Sequence, residues 1–190
     1  FGTSCSVCSI TFVEKEELKV ELLQISQKDH LGISSKSTII PSIIGILNNN
    51  FLLGKYAQEK RRNLVLGENG WYGFKENILD LENLVYTNSI LHEHPDYPIK
   101  NGSDALIVFF KRLKIEIINI INEKKLPQEK CYSFSTPANY GLKEKEILEK
   151  HLIKSGFEKG TFSFVEEPVS SVIGTIHQEG LALNLVNDLK

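Results

Sequence analysis

The run 131–168, CYSFSTPANYGLKEKEILEKHLIKSGFEKGTFSFVEEP, decides the fold. Cys131-Tyr132-Ser133-Phe134-Ser135 reads as a strand that stops at Thr136-Pro137-Ala138, because proline has no N–H to donate to a ladder. Lys143 to Ser155 reads as a helix with Leu148 and Leu152 on one face. Gly156 follows where a left-handed backbone costs least, and Phe157 packs back onto the helix. Thr161 to Val165 is a second strand. Pro168 then opens a further helix through about His177, in the first turn, where its missing N–H matters least.

Upstream, Ser103 is positioned to cap a long helix from Asp104 to about Lys124, ended by Leu126-Pro127. Leu106, Phe109, Phe110, Leu113, Ile117, Ile120 and Ile121 recur at the three-and-four spacing of a buried face. Residues 5–12 and 17–25 read as an antiparallel hairpin, and Ser26 to Ser37 as a polar loop. The β-branched run Thr38 to Ile46 reads as a strand, with Pro41 marking an edge or a break. Asn48-Asn49-Asn50 is a turn, and Phe51-Leu52-Leu53 returns. Between Gly54 and Lys100 the pattern is that of an excursion, with short helices at 55–62 and 78–86. Hairpin, long helix, strand, helix, strand, helix is the order of an α/β layered domain with a mixed sheet.

The 190 residues carry 41% hydrophobic and 24% charged side chains, a globular composition that excludes a disordered tail or a collagen-like fibre. The net charge of −2 lacks the concentrated positive field on which sequence-independent nucleic-acid binding rests. No apolar run reaches the ~18 residues of a membrane span. Three cysteines, Cys5, Cys8 and Cys131, form no disulfide framework and point to a reducing, cytoplasmic setting. On a strand Cys5 and Cys8 face opposite ways, so the pair does not chelate. His92-Glu93-His94 lies in a proline-containing loop and reads as surface, as do His30, His151 and His177.

Three motifs can carry chemistry. Phe1-Gly2-Thr3-Ser4-Cys5-Ser6 is a turn of small and hydroxyl residues entering a strand. Such a turn lets backbone amides approach an anion, although it also serves as a plain hairpin entry. Thr136-Pro137-Ala138 ends a strand before a helix. Glu166-Glu167-Pro168 places acids at the C-terminal end of a strand, where an α/β sheet faces its ligand crevice and a carboxylate can orient water.

Taken in order, these motifs resemble the actin-like ATPase superfamily and, within it, the seventy-kilodalton heat-shock (DnaK-type) chaperones. The family's first phosphate loop, Asp-hydrophobic-Gly-Thr-Thr/Ser-x-Ser, is matched from Phe1 to Ser6 after its leading Asp. Its Thr-hydrophobic-Pro-Ser strand is matched by Thr38-Ile39-Ile40-Pro41-Ser42, and its Gly-x-x-Ala helix start by Gly54-Lys55-Tyr56-Ala57. Thr136-Pro137-Ala138 resembles Val-Pro-Ala, with Thr136 in place of Val. Lys154-Ser155-Gly156-Phe157 resembles the Ala/Ser-Gly-Phe helix end. Glu166-Glu167-Pro168-Val169-Ser170-Ser171 resembles Asn-Glu-Pro-Thr-Ala-Ala. The likeness spans nearly the whole chain and is loosest over 58–100.

The resemblance implies the first, ribonuclease H-like lobe of an ATPase. Residues 1–36 and 101–190 would form the main subdomain, a mixed sheet flanked by helices, and 37–100 a smaller inserted one. Gly2, Thr3, Ser4 and the Cys5 backbone would cradle the phosphates of ATP, with Mg²⁺. Glu167 would help place the attacking water, and Pro137 would relay nucleotide state to the partner domain. Lys75, in Trp71-Tyr72-Gly73-Phe74-Lys75, is the candidate for the catalytic lysine, the alternative being a solvated surface lysine. The Asp before Phe1, the second phosphate loop, the adenosine pocket and the second lobe would lie outside this sequence. A lobe by itself should therefore be nearly inert, while the intact ATPase would couple hydrolysis to client polypeptides and co-chaperones, with no nucleic acid or membrane as partner. An actin-like filament-forming ATPase, a sugar or acid kinase on the same fold, and a non-catalytic nucleotide-binding module are the alternatives.

Overall fold

The computed structural model describes residues 4–28, 31, 33–126 and 131–169, the side chains at 14, 17 and 18 aside. In chain order the elements are β1 (Cys5–Val7), β2 (Ser9–Glu14), β3 (Glu17–Leu22), β4 (Ile25–Lys28), β5 (Ser34–Ser37), β6 (Ile39–Pro41), β7 (Ile43–Leu47) and β8 (Asn50–Leu53). Then follow α1 (Lys55–Glu59), β9 (Gly70–Tyr72), α2 (Gly102–Glu123), β10 (Tyr132–Thr136), α3 (Leu142–Lys154) and β11 (Phe162–Glu166). Short 3-10 turns lie at Arg61–Asn63 and Ile78–Asp80. The class is mixed α/β: a parallel pair β10–β11 accompanies the antiparallel ladders β1–β6, β2–β3, β4–β5 and β8–β7–β9.

The sequence expectations hold where a strong local signal exists. Asn48 and Asn49 take φ of 50° and 61°, the left-handed pair that a tight two-residue hairpin requires, and asparagine tolerates it. Gly156, at φ 94°, ends α3, and Phe157 returns to the core at 3% exposure. Residues 167–169 are helical, with Pro168 in the first turn, and the rest of the helix expected to about His177 lies outside the described residues.

Several expectations are corrected. The first apolar run is not one strand: it divides at Cys8, so that β1 pairs with β6 while β2 pairs with β3. The segment 26–37, read as a polar loop, holds the β4–β5 hairpin. Serine-rich composition hides a ladder made by backbone groups alone. The α2 cap is Asn101, whose side chain accepts from the Asp104 N–H at 3.0 Å, rather than Ser103. The helix expected at 78–86 is only the 3-10 turn Ile78–Asp80.

The core gathers on α2, which buries Leu106, Phe109, Phe110 and Leu113. Burying each such side chain is worth about 1.5–3 kcal/mol. Phe134 of β10 is the aromatic hub, edge-on to Phe110 at 6.0 Å and to Phe157 at 5.3 Å between ring centroids. A smaller cluster, Ile43, Leu52, Ala57 and Leu64, packs around β7, β8 and α1.

The single mixed sheet expected from the sequence is not formed among the described residues: the strands fall into separate ladders, and β2–β3 and β10–β11 do not join. Between them runs a groove of about 630 Å³, lined by consecutive residues 6–13 on one side and 131–135 on the other. Successive strand residues point to opposite faces, so a groove lined by all of them runs along a strand edge rather than over a face. Phe110, Leu113, Ile117 and Ile121 of α2 also line it.

Candidate functional site

β1 is a short strand whose alternation turns Ser6 inward, at 5% exposure, while Val7 points out at 51%. Its register with β6 sets Cys5 opposite Pro41 and Ser6 opposite Ile40. The next residue, Ser42, donates its backbone N–H to the carbonyl of Ser4 at 2.8 Å. The Thr-Ile-Ile-Pro-Ser segment is thereby tied to Ser4, the residue before β1.

Lys75 reaches the same place from another part of the chain. β9 ends at Tyr72, Gly73 takes φ 76°, and the turn that follows sends the Lys75 side chain inward. Its Nζ meets Ser6 Oγ at 2.6 Å and lies 4.6 Å from the centre of the Phe109 ring. Lys75 is 2% exposed, so the solvated-surface alternative does not describe it. Burial pushes its amine down from 10.5 to about 7, partly opposed by attraction to Cys5, Cys8 and Glu167. Burial also pushes the Cys8 thiol up to about 11, although Lys75 pulls the other way. Cys8 is thus a protonated thiol at neutral pH.

Glu167 begins the helical residues after β11 and is half-buried. Its charge acts on both Lys75 and Tyr140. The parallel register sets Thr136 opposite Glu166, which brings the end of β10, with Pro137 next, alongside the Glu166-Glu167 acids. Glu166 itself pairs with Lys145 at 3.5 Å on the surface. Pro137 is half-buried and its carbonyl accepts from the Tyr140 N–H at 3.0 Å.

Of the residues singled out from the sequence, Ser4, Cys5, Lys75 and Glu167 thus fall in one neighbourhood, with Pro137 at its border. Gly2 and Thr3 lie outside the described residues, as do His30 and His177. Two participants went unassigned in the sequence. Ser6, the partner of Lys75, was legible only as part of the turn motif. Ser42 Oγ is buried without a hydrogen-bond partner. A buried hydroxyl in that state costs about 1–3 kcal/mol.

The other titratable groups read differently. His151, expected at the surface, is 6% exposed: its Nε2 meets Ser103 Oγ at 2.7 Å and its Nδ1 meets the Ile147 carbonyl at 2.7 Å. A carbonyl only accepts, so Nδ1 carries the proton and the Ser103 hydroxyl donates to Nε2. His92 and Lys100 gather around Glu93 on the surface at 2.7 and 3.2 Å. Among the described residues no three His, Cys, Asp or Glu side chains are grouped to hold a metal ion. Nor, among them, is any helix long and apolar enough to cross a membrane.

The chain matches no model of a known protein family, and a search of curated proteins finds no match.

Proposed function

We propose that this chain is the first lobe of a DnaK-type chaperone ATPase, a ribonuclease H-like subdomain with a smaller one inserted at 37–100. The observation that carries the reading is the buried contact of Lys75 with Ser6, on the strand that follows Gly2-Thr3-Ser4 in the sequence. A phosphate binder needs donors and a positive charge converging on one spot, and phosphoryl transfer is mostly positioning and electrostatics. Ser4, Cys5, Ser6 and Lys75 would supply such a spot, Ser42 is bonded to Ser4 through the backbone, and Glu167 would be the acid to orient water.

Mg²⁺ keeps most of its waters and is held through substrate phosphates and one or two carboxylates, so it enters this site with the nucleotide. In the intact protein the lobe closes on Mg-ATP together with a second lobe, and hydrolysis sets the affinity for client polypeptides, with Pro137 relaying the nucleotide state. The setting is the cytoplasm.

The test is single-turnover ATP hydrolysis by the full-length protein and its Lys75→Met and Glu167→Ala variants. Losses of a hundredfold or more are expected for Lys75→Met, on the scale of removing one electrostatic stabiliser. Unchanged hydrolysis in both variants overturns the assignment, as does robust turnover by the isolated lobe.

A further inference from the structure

The groove of about 630 Å³ between β2 and β10 is walled by two strand edges. Leu23 donates its backbone N–H to the Cys8 carbonyl at 2.8 Å, on the β3 side. Backbone groups alternate along a strand, so those of Ser9 and Thr11 point the other way, into the groove. Opposite, Tyr132 donates its N–H to the Thr161 carbonyl at 2.7 Å, on the β11 side, which turns the backbone groups of Ser133 into the groove. Among the described residues β2 pairs only with β3, and β10 only with β11.

The two walls agree in the faces they present. Ile10, Tyr132 and Phe134 turn inward and pack on the core, whereas Ser9, Thr11 and Ser133 are exposed. An extended segment between them lays alternate residues on Phe110, Leu113 and Ile117 of α2 and sets the others beside the exposed hydroxyls. The chemistry that fits is therefore an extended polypeptide, apolar at every second residue.

Edges left open to water are commonly guarded by lysine or proline. Neither 6–13, SVCSITFV, nor 131–135, CYSFS, contains a charged residue or a proline. With no charge to steer a partner in from solution, the cover that fits these edges is a tethered one. The tether is in place: Ser6 and Val7 line the groove, and just ahead of them the Ser4 carbonyl accepts from the Ser42 N–H. Residues 1–3 reach at most about 10 Å. The wall 131–135 extends for about 17 Å, so a strand that fills the groove draws on residues ahead of Phe1.

We propose that in the full-length protein the segment immediately ahead of Phe1 forms a β-strand in this groove, hydrogen-bonded to both β2 and β10. The strand joins the two ladders into one sheet over α2. It also anchors Gly2-Thr3-Ser4 from ahead, as Ser42 anchors the segment at Ser4. The inference stands on the two edges and does not depend on the nucleotide reading, which ATP hydrolysis tests by itself.

The experiment is NMR on the full-length protein, reading amide hydrogen exchange and interstrand proton–proton contacts. The groove-facing amides of Ser9, Thr11 and Ser133 are expected to exchange about a hundredfold or more slowly than in an unfolded peptide. Contacts from these amides to residues ahead of Phe1 are expected with it. Exchange at unfolded-peptide rates overturns the proposal, as do contacts to any other segment of the chain. A mixture of labelled and unlabelled protein separates the sources of a strand. Contacts that cross between the two populations put a second copy in the groove, and that result also overturns the proposal.

Discussion

Replacing Lys75 by methionine should stabilise this chain at neutral pH and lose that advantage as the pH rises. An unfolded lysine titrates near 10.5 and the folded Lys75 amine near 7, so between these values the unfolded chain binds the extra proton. Stability of the wild type therefore climbs with pH through that window, at about 1.4 kcal/mol per pH unit. At pH 7.5 the three units still separating the solution from 10.5 correspond to a penalty of roughly 4 kcal/mol that methionine does not bear. Methionine leaves the Ser6 hydroxyl without its amine partner, a cost of about 1–3 kcal/mol. The net expectation is a variant more stable by about 1–3 kcal/mol at pH 7.5. Between pH 7.5 and 9.5 the gap should shrink by roughly 3 kcal/mol, enough to cancel or reverse it. Urea unfolding of the two proteins at pH 7.5, 8.5 and 9.5 measures the gap directly, and groups common to both cancel in the difference. A gap independent of pH would refute the reasoning, because it would mean that Lys75 titrates alike in the folded and unfolded chains.

Three further expectations concern the scaffold. His151 is held neutral, its pKa lowered from 6.5 by burial, so its contribution is complete above pH 6.5 and is lost as the pH falls through the lowered value. His151→Gln should flatten the acid limb of the stability profile, and an unchanged acid limb would show that the histidine does not report on folding. Phe134→Ala removes the partly buried aromatic hub and should cost about 1.5–3 kcal/mol in urea unfolding; a loss below 1 kcal/mol would mean that β10 is not docked on α2. Asn101→Ala removes the α2 cap and should cost about 1 kcal/mol, whereas Asn101→Asp should be nearly neutral.

The elements written plainly in the sequence are those whose signal is local. The apolar stripe of α2 runs for more than four turns, the Asn48-Asn49 pair has few other uses, and Gly156 sits where only a left-handed residue ends a helix well. The β4–β5 hairpin is invisible for the opposite reason: Ser34-Ser35-Lys36-Ser37 carries no hydrophobic alternation, and the buried positions of the pair, Ile25 and Gln27, lie on the partner strand. Three-residue strands such as β9 are too short for any period to register. Asn101 and Ser103 are both good caps two residues apart, and the choice falls to Asn101 because the Ser103 hydroxyl is engaged by His151, a contact 48 residues distant. At the candidate site the order of motifs singled out Lys75 as a candidate, but its burial was not legible. Its immediate neighbours are aromatic and charged in a pattern that suits a surface turn equally well, and only the approach of Phe109 and Ser6 encloses it.

The interruption between the β2–β3 and β10–β11 ladders has a bearing on how this chain breathes. A continuous sheet opens as one unit, since each strand is held by the hydrogen bonds of two neighbours. Here each ladder is tied to the rest through side chains on α2 and not through backbone bonds to the other ladder. Amide protons in β2 and β3 should then exchange through openings of lower free energy than those in β10 and β11, where Phe134 anchors the pair to Phe110 and Phe157. Because β1 is paired with β6 and not with β2, such an opening would leave Ser6 on Lys75.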